Sequence, residues 1–276
     1  MRPIGIQTVP LRTPTLPPAT HTNTYVVGQG QLSIFDPASP FPEEQRALIA
    51  ALDARTNEVV TRIVLTHHHH DHIMGAHVLQ ETYRERGQRV PIVAHPKTAE
   101  LVAHVLTVDA FWTDGQTEDC GGIELTATHT PGHAPGHLVF QSSEDQAMIA
   151  GDMVAGIGTI LIDPMDGNLE DYLRSLQRMR ALSPSCLLPA HGPQLDHPDD
   201  VLSMYIAHRH LRTDQIRTCL EVHGRQTPRD IVPHVYPELD SRAHGLAARQ
   251  IESHLLWMAG HGMARRTEEK IWYLLN

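Results

Sequence analysis

The sequence contains the run Leu65-Thr66-His67-His68-His69-His70-Asp71-His72, whose first residue ends the apolar segment 59–65. Its last six residues are five histidines and one aspartate. Packing does not explain such a run, because each imidazole needs a polar partner and a buried charge is costly. An affinity tag would lie at a terminus, whereas this run lies about a quarter of the way along the chain. We interpret it as the loop after a buried strand, where a rigid scaffold presents functional groups.

Within this run, alternate positions form the pattern His-x-His-x-Asp-His, made by His67, His69, Asp71 and His72. Imidazole nitrogens and carboxylate oxygens are the donors that zinc and similar divalent metals prefer. A fortuitous cluster of histidines is the alternative. The pattern predicts a metal site.

Composition and charge set broad limits on the fold and on the partners. The chain has 276 residues, 41% of them hydrophobic, which suits one large α/β domain with a small appendage. No apolar run approaches the ~20 residues of a membrane span, and residues 1–5 lack the apolar core of a signal peptide. We therefore expect a cytoplasmic protein without membrane partners. Residues 199–276 hold ten basic and ten acidic residues, so the net charge of −10 resides in residues 1–198. Neither part is typical of a polyanion-binding protein.

The three cysteines are widely spaced and form no CxxC pair: Cys120, Cys186 and Cys219. This spacing indicates neither a disulfide framework nor a thiolate zinc site. We expect these cysteines to be reduced and buried.

Apolar periodicity and turn residues predict an alternation of strands and helices, which is typical of a layered α/β domain. Strands are predicted in a hairpin over 22–36 and at 59–65, 90–94, 123–128, 137–141, 147–151 and 187–189, with helices at 42–55, 74–86 and 96–105. Three further polar residues follow predicted strands: His133, Asp152 and His191. Pro and Gly on both sides of His133 predict a tight turn that fixes its ring. Asp152 either caps the next loop or bridges two metals, and we expect His137 to orient other groups rather than bind metal.

Four short motifs carry a resemblance to the metallo-β-lactamase superfamily over about residues 20–197: His-x-His-x-Asp-His at 67–72, Thr-Pro-Gly-His at 130–133, Gly-Asp at 151–152 and Ala-His-Gly at 190–192. The resemblance implies an αββα sandwich with its site at one edge, between two sheets. It assigns His67, His69 and His133 to one metal, Asp71, His72 and His191 to a second, and Asp152 to a bridge between them. His68 and His70 fall on variable positions and are not expected to be ligands.

The resemblance also implies a chemistry. Two zinc ions per chain are expected, with iron or manganese as alternatives, and Asp71 and Asp152 would orient water and accept protons. A glutamate in place of His69 would resemble the di-iron flavoprotein branch, and Asp152 makes lactam hydrolysis unlikely. One departure is Asp36-Pro37-Ala38-Ser39, where many members have Asp-Thr-Gly or Asp-Ser-Gly.

The tail predicts three helices and a hairpin, which is typical of a winged helix. The helices begin near Met204, at Thr227-Pro228 and at about Ala243, and the hairpin covers 263–273. The tail resembles that of the LACTB2-like branch, which includes an endoribonuclease and fungal polyketide thioesterases. We accordingly predict a catalytic domain over 1–198 and a winged-helix-like domain over 199–276.

These expectations rank phosphodiester hydrolysis, with single-stranded RNA as a candidate substrate, ahead of hydrolysis of a thioester, lactone or carboxylic ester. A DNA-binding module is the third alternative, but the balanced charge of the tail argues against duplex DNA as a partner. We expect the tail to line the active-site mouth and to support a homodimer.

Overall fold

The computed structural model describes residues 3–275 and divides the chain into two β-sheets, their covering helices and a helical tail. The first sheet is built from β1 (Ile6–Arg12), β2 (His21–Val27), β3 (Gln31–Phe35), β4 (Val59–Val64), β5 (Ile92–Ala94) and β6 (Ala110–Phe111), in that spatial order. The second is built from β7 (Thr117–Asp119), β8 (Glu124–His129), β9 (Leu138–Ser142), β10 (Ala147–Gly151) and β11 (Cys186–Pro189), which are also neighbours in chain order. The strands from β3 to β6 run parallel, and so do β10 and β11.

Helices cover the outer faces of both sheets. They are α1 (Pro42–Asp53), α2 (His70–Ile73), α3 (Ala76–Glu85), α4 (Pro96–Val102) and α5 (Leu169–Ala181). Alternate residues of each strand face opposite ways, so one sheet contributes to two hydrophobic layers. Ile34 packs in the cluster under α1 and α3, whereas its neighbour Phe35 meets Phe140 of the other sheet, with ring centroids 5.0 Å apart. The outer face of the second sheet packs on α5. This confirms the predicted αββα sandwich.

The structure corrects several predicted boundaries. The helix predicted at 74–86 corresponds to α3 and begins two residues later, at Ala76. Gly75 separates α3 from the short helix α2, and a Cβ atom on Gly75 would lie 2.2 Å from the carbonyl oxygen of Pro37. This close approach requires a glycine. The histidine run is also partly helical, since α2 begins at His70.

Besides α2, four elements were not predicted from the sequence: β1, β6, β7 and α5. β6 and β7 contain two and three residues, too few for a periodic signal. In α5, by contrast, Leu169, Tyr172, Leu173, Leu176 and Met179 are buried at helical spacing, so a signal was present.

The tail consists of α6 (Pro198–His223), α7 (Pro228–Val235), a 3-10 turn (Ser241–Ala243), α8 (His244–Gly260) and the hairpin strands β12 (Ala264–Arg266) and β13 (Trp272–Leu274). A capping box starts α7, because Thr227 and Asp230 each bond the backbone N–H of the other. The first half of α6 packs against α5 through Leu202, and its second half enters the tail core through Ile216. One helix therefore belongs to both cores, and the division at 198/199 stays a prediction. No described helix has the length and apolar character needed to cross a membrane.

Two adjacent leucines of α8 provide a matched test of this tail core. Leu255 is fully buried, whereas Leu256 is 43% exposed. We expect Leu255→Ala to lower the free energy of unfolding by about 2–5 kcal/mol, because it leaves a cavity. Leu256→Ala should cost less than about 1 kcal/mol. Denaturant unfolding of the two variants measures the difference, and equal losses would contradict the packing of α8.

Candidate metal centre

The seven predicted ligands lie together at one edge, where strands of both sheets end. His67, His69, Asp71 and His72 follow β4, His133 lies in the turn between β8 and β9, Asp152 follows β10 and His191 follows β11. Their donor atoms form two groups, each lying within 4.8 Å of one another: His67, His69, His133 and Asp152 in the first, and Asp71, His72 and His191 in the second.

Three imidazole nitrogens converge in the first group. His69 Nδ1 lies 3.0 Å from His67 Nε2 and 2.9 Å from His133 Nε2, and the latter two atoms lie 3.3 Å apart. Tetrahedral ligands on bonds of about 2.0 Å lie about 3.3 Å apart, so this triangle has nearly the size that one zinc ion requires.

Asp152 lies between the two groups. Its Oδ2 is 3.5 Å from His133 Nε2 and 3.6 Å from His72 Nε2, and its Oδ1 is 3.4 Å from His191 Nε2. Asp71 Oδ2 lies 3.5 Å from the same His191 nitrogen. One carboxylate thus reaches ligands of both groups, as a bridge between two cations must.

Two buried atoms of this centre have no hydrogen-bond partner among residues 3–275: His72 Nε2 and Asp152 Oδ1. Buried polar atoms are normally paired, and leaving one unpaired costs about 1–3 kcal/mol. A cation would accept a lone pair from each. The residues present therefore fit a metal centre.

The outward-facing ring nitrogens are held by groups around the centre. His133 Nδ1 donates to the carbonyl oxygen of Leu161 over 2.9 Å, and His191 Nδ1 donates to that of His21 over 3.0 Å. A ring that donates through Nδ1 keeps its lone pair on Nε2. In both rings that nitrogen faces the centre, so the rings are oriented for metal binding.

Asp36 holds His72 in the same way, and the sequence analysis did not assign it this role. Its Oδ2 lies 2.9 Å from His72 Nδ1 and accepts a bond from Thr66 Oγ1, while its Oδ1 accepts from Thr66 N. Asp36 directly follows β3. Its position at a strand end was a signal that could have identified it.

Asp166 is a second residue that the sequence analysis missed. Its Oδ2 lies 2.9 Å from His69 Nε2 and 3.1 Å from His68 Nε2. Burial opposes its ionisation, but the two imidazoles hold the pKa of Asp166 below its usual value. It lies in the irregular segment 153–168, which carries no motif. The partner of His68 is therefore Asp166. His70 is exposed.

His137 positions the backbone of Asp152, in agreement with the structural role expected for it. Its Nε2 accepts a hydrogen bond from Asp152 N over 3.1 Å, and its Nδ1 lies 2.9 Å from Thr130 Oγ1. Gly151 lies directly over this ring with φ +50°, and a Cβ there would lie 2.5 Å from His137 Nε2. Only glycine fits beside the histidine.

Burial and charge place His67, His133 and Asp152 in the protonation states that a cation needs. Burial opposes protonation of His72 and His191, yet Asp152 raises the pKa of both imidazoles above the usual value, so a cation would have to displace their protons. Burial lowers the pKa of His67 and of His137 well below the usual value, and lowers that of His133 to about 4. Burial opposes ionisation of Asp152, yet the nearby His191 and His72 hold the pKa of Asp152 well below its usual value. Neutral imidazoles and an ionised carboxylate are the metal-binding forms.

A cavity of about 660 Å³ opens above the centre. Its lining combines the histidines and carboxylates of the centre with large apolar side chains: Leu16, Ile73, Leu101, Val105, Ile157 and Met165. The tail forms part of the wall, since Arg249 of α8 reaches the cavity and pairs with Asp163. Two further α8 residues hold the wall, because Ile162 N donates to Gln250 and Ser253 donates to Ile162 O.

Comparisons with known proteins agree with this arrangement. A "Beta-lactamase-like protein 2 homolog" from Caenorhabditis elegans is 31% identical over 219 residues, which are 79% of this chain and 71% of the relative. An "Atrochrysone carboxyl ACP thioesterase" from Aspergillus fumigatus is 27% identical over 201 residues, 72% of this chain and 60% of the relative. The crystal structure of a beta-lactamase domain protein from Burkholderia ambifaria has a TM-score of 0.86 at 20% identity, covering 98% of this chain and 91% of that one.

Family models match two separate parts of the chain. Residues 227–272 match the beta-lactamase associated winged helix domain, which confirms the winged-helix prediction. Residues 17–191 match the metallo-beta-lactamase superfamily. Because that match covers more than half of the sequence and includes all seven predicted ligands, the chain belongs to the metallo-beta-lactamase superfamily of hydrolases.

Proposed function

We propose that the protein is a binuclear zinc hydrolase that cleaves a thioester or carboxylic ester of a small, largely apolar acyl group. The observation that carries this proposal is the apolar lining of the cavity that opens onto the metal centre. The sequence motifs favour phosphodiester hydrolysis, whereas the cavity favours the alternative, hydrolysis of a thioester or ester.

The donor atoms support zinc over the alternatives iron and manganese. Three imidazoles and one carboxylate form the first group, and nitrogen-rich sites of this kind suit zinc. Two bound divalent cations lower the pKa of water from ~15.7 toward ~7 and polarise a scissile carbonyl group.

Two carboxylates are assigned roles in the reaction itself. Asp71 has a 20% exposed side chain and lines the cavity, so it can reach a water molecule there and accept its proton. Asp152 is nearly buried and faces both groups, which suits it to hold them at a constant separation. Asp36 and His137 position these groups without reaching the cavity.

The substrate class follows from the cavity rim. Leu16, Leu101, Val105 and Ile157 are 39–46% exposed, although they are large apolar side chains. Apolar side chains gathered around a concave site with a few polar groups indicate a small-molecule pocket. The thioesterase named above is a relative whose substrate contains an acyl group on a carrier, which supports the same assignment.

Phosphodiester hydrolysis is the second candidate, because a two-metal centre and the cavity histidines His68, His70 and His104 suit a phosphate group. A long RNA strand needs a basic channel, however. The one arginine that lines the cavity among the described residues, Arg249, already pairs with Asp163, and Asp166 adds negative charge. Lactam hydrolysis stays disfavoured because of Asp152.

The tail is arranged as a wall and not as a DNA reader. In a helix-turn-helix protein the recognition helix enters the major groove with exposed side chains. Here the last helix, α8, is instead packed into the protein: it buries Ile251 and Leu255 in the tail core and uses Trp257 Nε1 to bond Glu170 of α5 over 2.7 Å. Its exposed surface is correspondingly small.

Removing a ligand should empty the binuclear centre and abolish hydrolysis but leave the fold. We expect His133→Ala and Asp152→Ala to bind one to two metal ions fewer per chain than the wild type. The matched control is His77→Ala, on the exposed side of α3. Elemental analysis, circular dichroism and ester hydrolysis measure the three properties. Normal turnover by the Asp152 variant would exclude the bridging role.

The acyl preference is tested with thioesters of increasing chain length. If the rim binds the acyl group, each added methylene should raise kcat/KM by up to about fourfold, corresponding to about 0.8 kcal/mol. Leu101→Ser should flatten this dependence without changing metal content, whereas Val222→Ser, at an exposed site in α6, should not. The same panel contains bis-p-nitrophenyl phosphate and a single-stranded RNA oligomer. Faster turnover of these two would favour the phosphodiester reaction.

Binding to duplex DNA is expected to be absent at the sub-micromolar level at physiological salt. The physical reasons are the balanced tail charge and the packing of α8. Fluorescence anisotropy with a labelled duplex measures this, and tight, salt-dependent binding would overturn the assignment of the tail.

A further inference from the structure

A second set of metal-binding residue types lies in the tail, remote in sequence from the centre described above. It consists of Cys219 and His223 on α6 and His234 on α7. Cys219 and His223 are four residues apart on one helix, so they share a face. The tertiary fold brings His234 beside them, and one donor atom of each residue lies within 4.8 Å of the others.

The two imidazoles have no other role that the structure shows. Their rings are stacked with centroids 4.1 Å apart, and both side chains are exposed. Neither ring forms a hydrogen bond or ion pair with another residue in the described range 3–275, whereas His129, His244 and His261 bond backbone carbonyl oxygens. Four ring nitrogens are thus free to bind a ligand from solvent.

The third potential ligand is the thiol of Cys219, which is buried, whereas the two imidazoles are exposed. Cys219 is 5% exposed and lies at the edge of the tail core, beside the exposed rings. Burial raises the pKa of the Cys219 thiol, so the free protein keeps it protonated. A soft cation displaces that proton, which passes to solvent, because the thiolate is the metal-binding form.

We propose that Cys219, His223 and His234 form a third metal site, which binds one zinc ion and joins α7 to α6. One thiolate and two imidazoles are a ligand set that zinc accepts, and water can complete the tetrahedron from the exposed side. The site is separate from the binuclear centre, whose residues include no cysteine. Its function is to hold α7 on α6, the helix that also packs on the catalytic sandwich.

The sequence alone did not indicate this site. The cysteine has no neighbouring cysteine, and the third ligand comes from the next helix, eleven residues after His223. Only the packing of α7 on α6 brings the three side chains together.

Cobalt substitution of the full-length, reduced protein tests the proposal, because a thiolate ligand gives cobalt a near-ultraviolet charge-transfer band and imidazole or carboxylate ligands do not. We expect this band in the wild-type protein and in Cys120→Ser, and its loss in Cys219→Ser. His234→Gln changes an exposed side chain, so it provides a variant that folds; it should weaken or abolish the band.

Zinc stoichiometry and stability give a second readout that does not depend on turnover. The double variant His223→Gln/His234→Gln should bind about one zinc ion fewer per chain than the wild type while hydrolysing substrate at the wild-type rate. Added zinc should raise the Tm of the wild type more than that of the double variant. A cobalt protein without the thiolate band, or a band that persists in Cys219→Ser, would overturn the proposal.

Discussion

The potential donor atoms of the candidate metal centre face one another at separations of 2.9–3.6 Å, and that crowding is the constraint on which the structure depends. Burial keeps imidazoles such as His67 neutral, while Asp152 remains charged inside the protein. Without other contacts, these side chains would rotate so that their donor atoms lie farther apart. His72, His133 and His191 are each held by a further bond, to Asp36 and to the carbonyl oxygens of Leu161 and His21 respectively.

The two sheets supply the rigidity that this constraint requires. β4 and the pair β10–β11 end at the same edge, so their carboxyl ends present ligands to a common space. Backbone bonds cross between the sheets beside the centre: Leu138 N donates to Thr66 O, and Asn23 N donates to Ala190 O. The loops that carry ligands are thereby tied to the opposite sheet, and the separation of the two ligand groups is a property of the sandwich.

The tail adds part of the cavity wall to this scaffold. α8 has the place of a recognition helix in a winged helix, yet its side chains bond the loop at Ile162 and reach the cavity through Arg249. Because the tail forms this wall, the shape of the cavity can vary without any change in the loops that carry the ligands. This explains physically how one metal centre can serve different substrates, since the rim and the ligands lie on different segments.

The sequence by itself determined the types of metal-binding residues, their order after strands, and the layered fold, because strand periodicity and motif spacing are local properties. The positions of His67, His133, Asp152 and His191 could all be predicted in this way. The residues that contact these four could not be predicted in this way. Asp166, the rim residues Leu101 and Ile157, and the grouping of Cys219 with His234 depend on contacts between segments that no local pattern relates. Those contacts arise only when the sheets, α5 and the tail pack, so the tertiary structure alone decided the shape of the cavity and the ligands of the tail site.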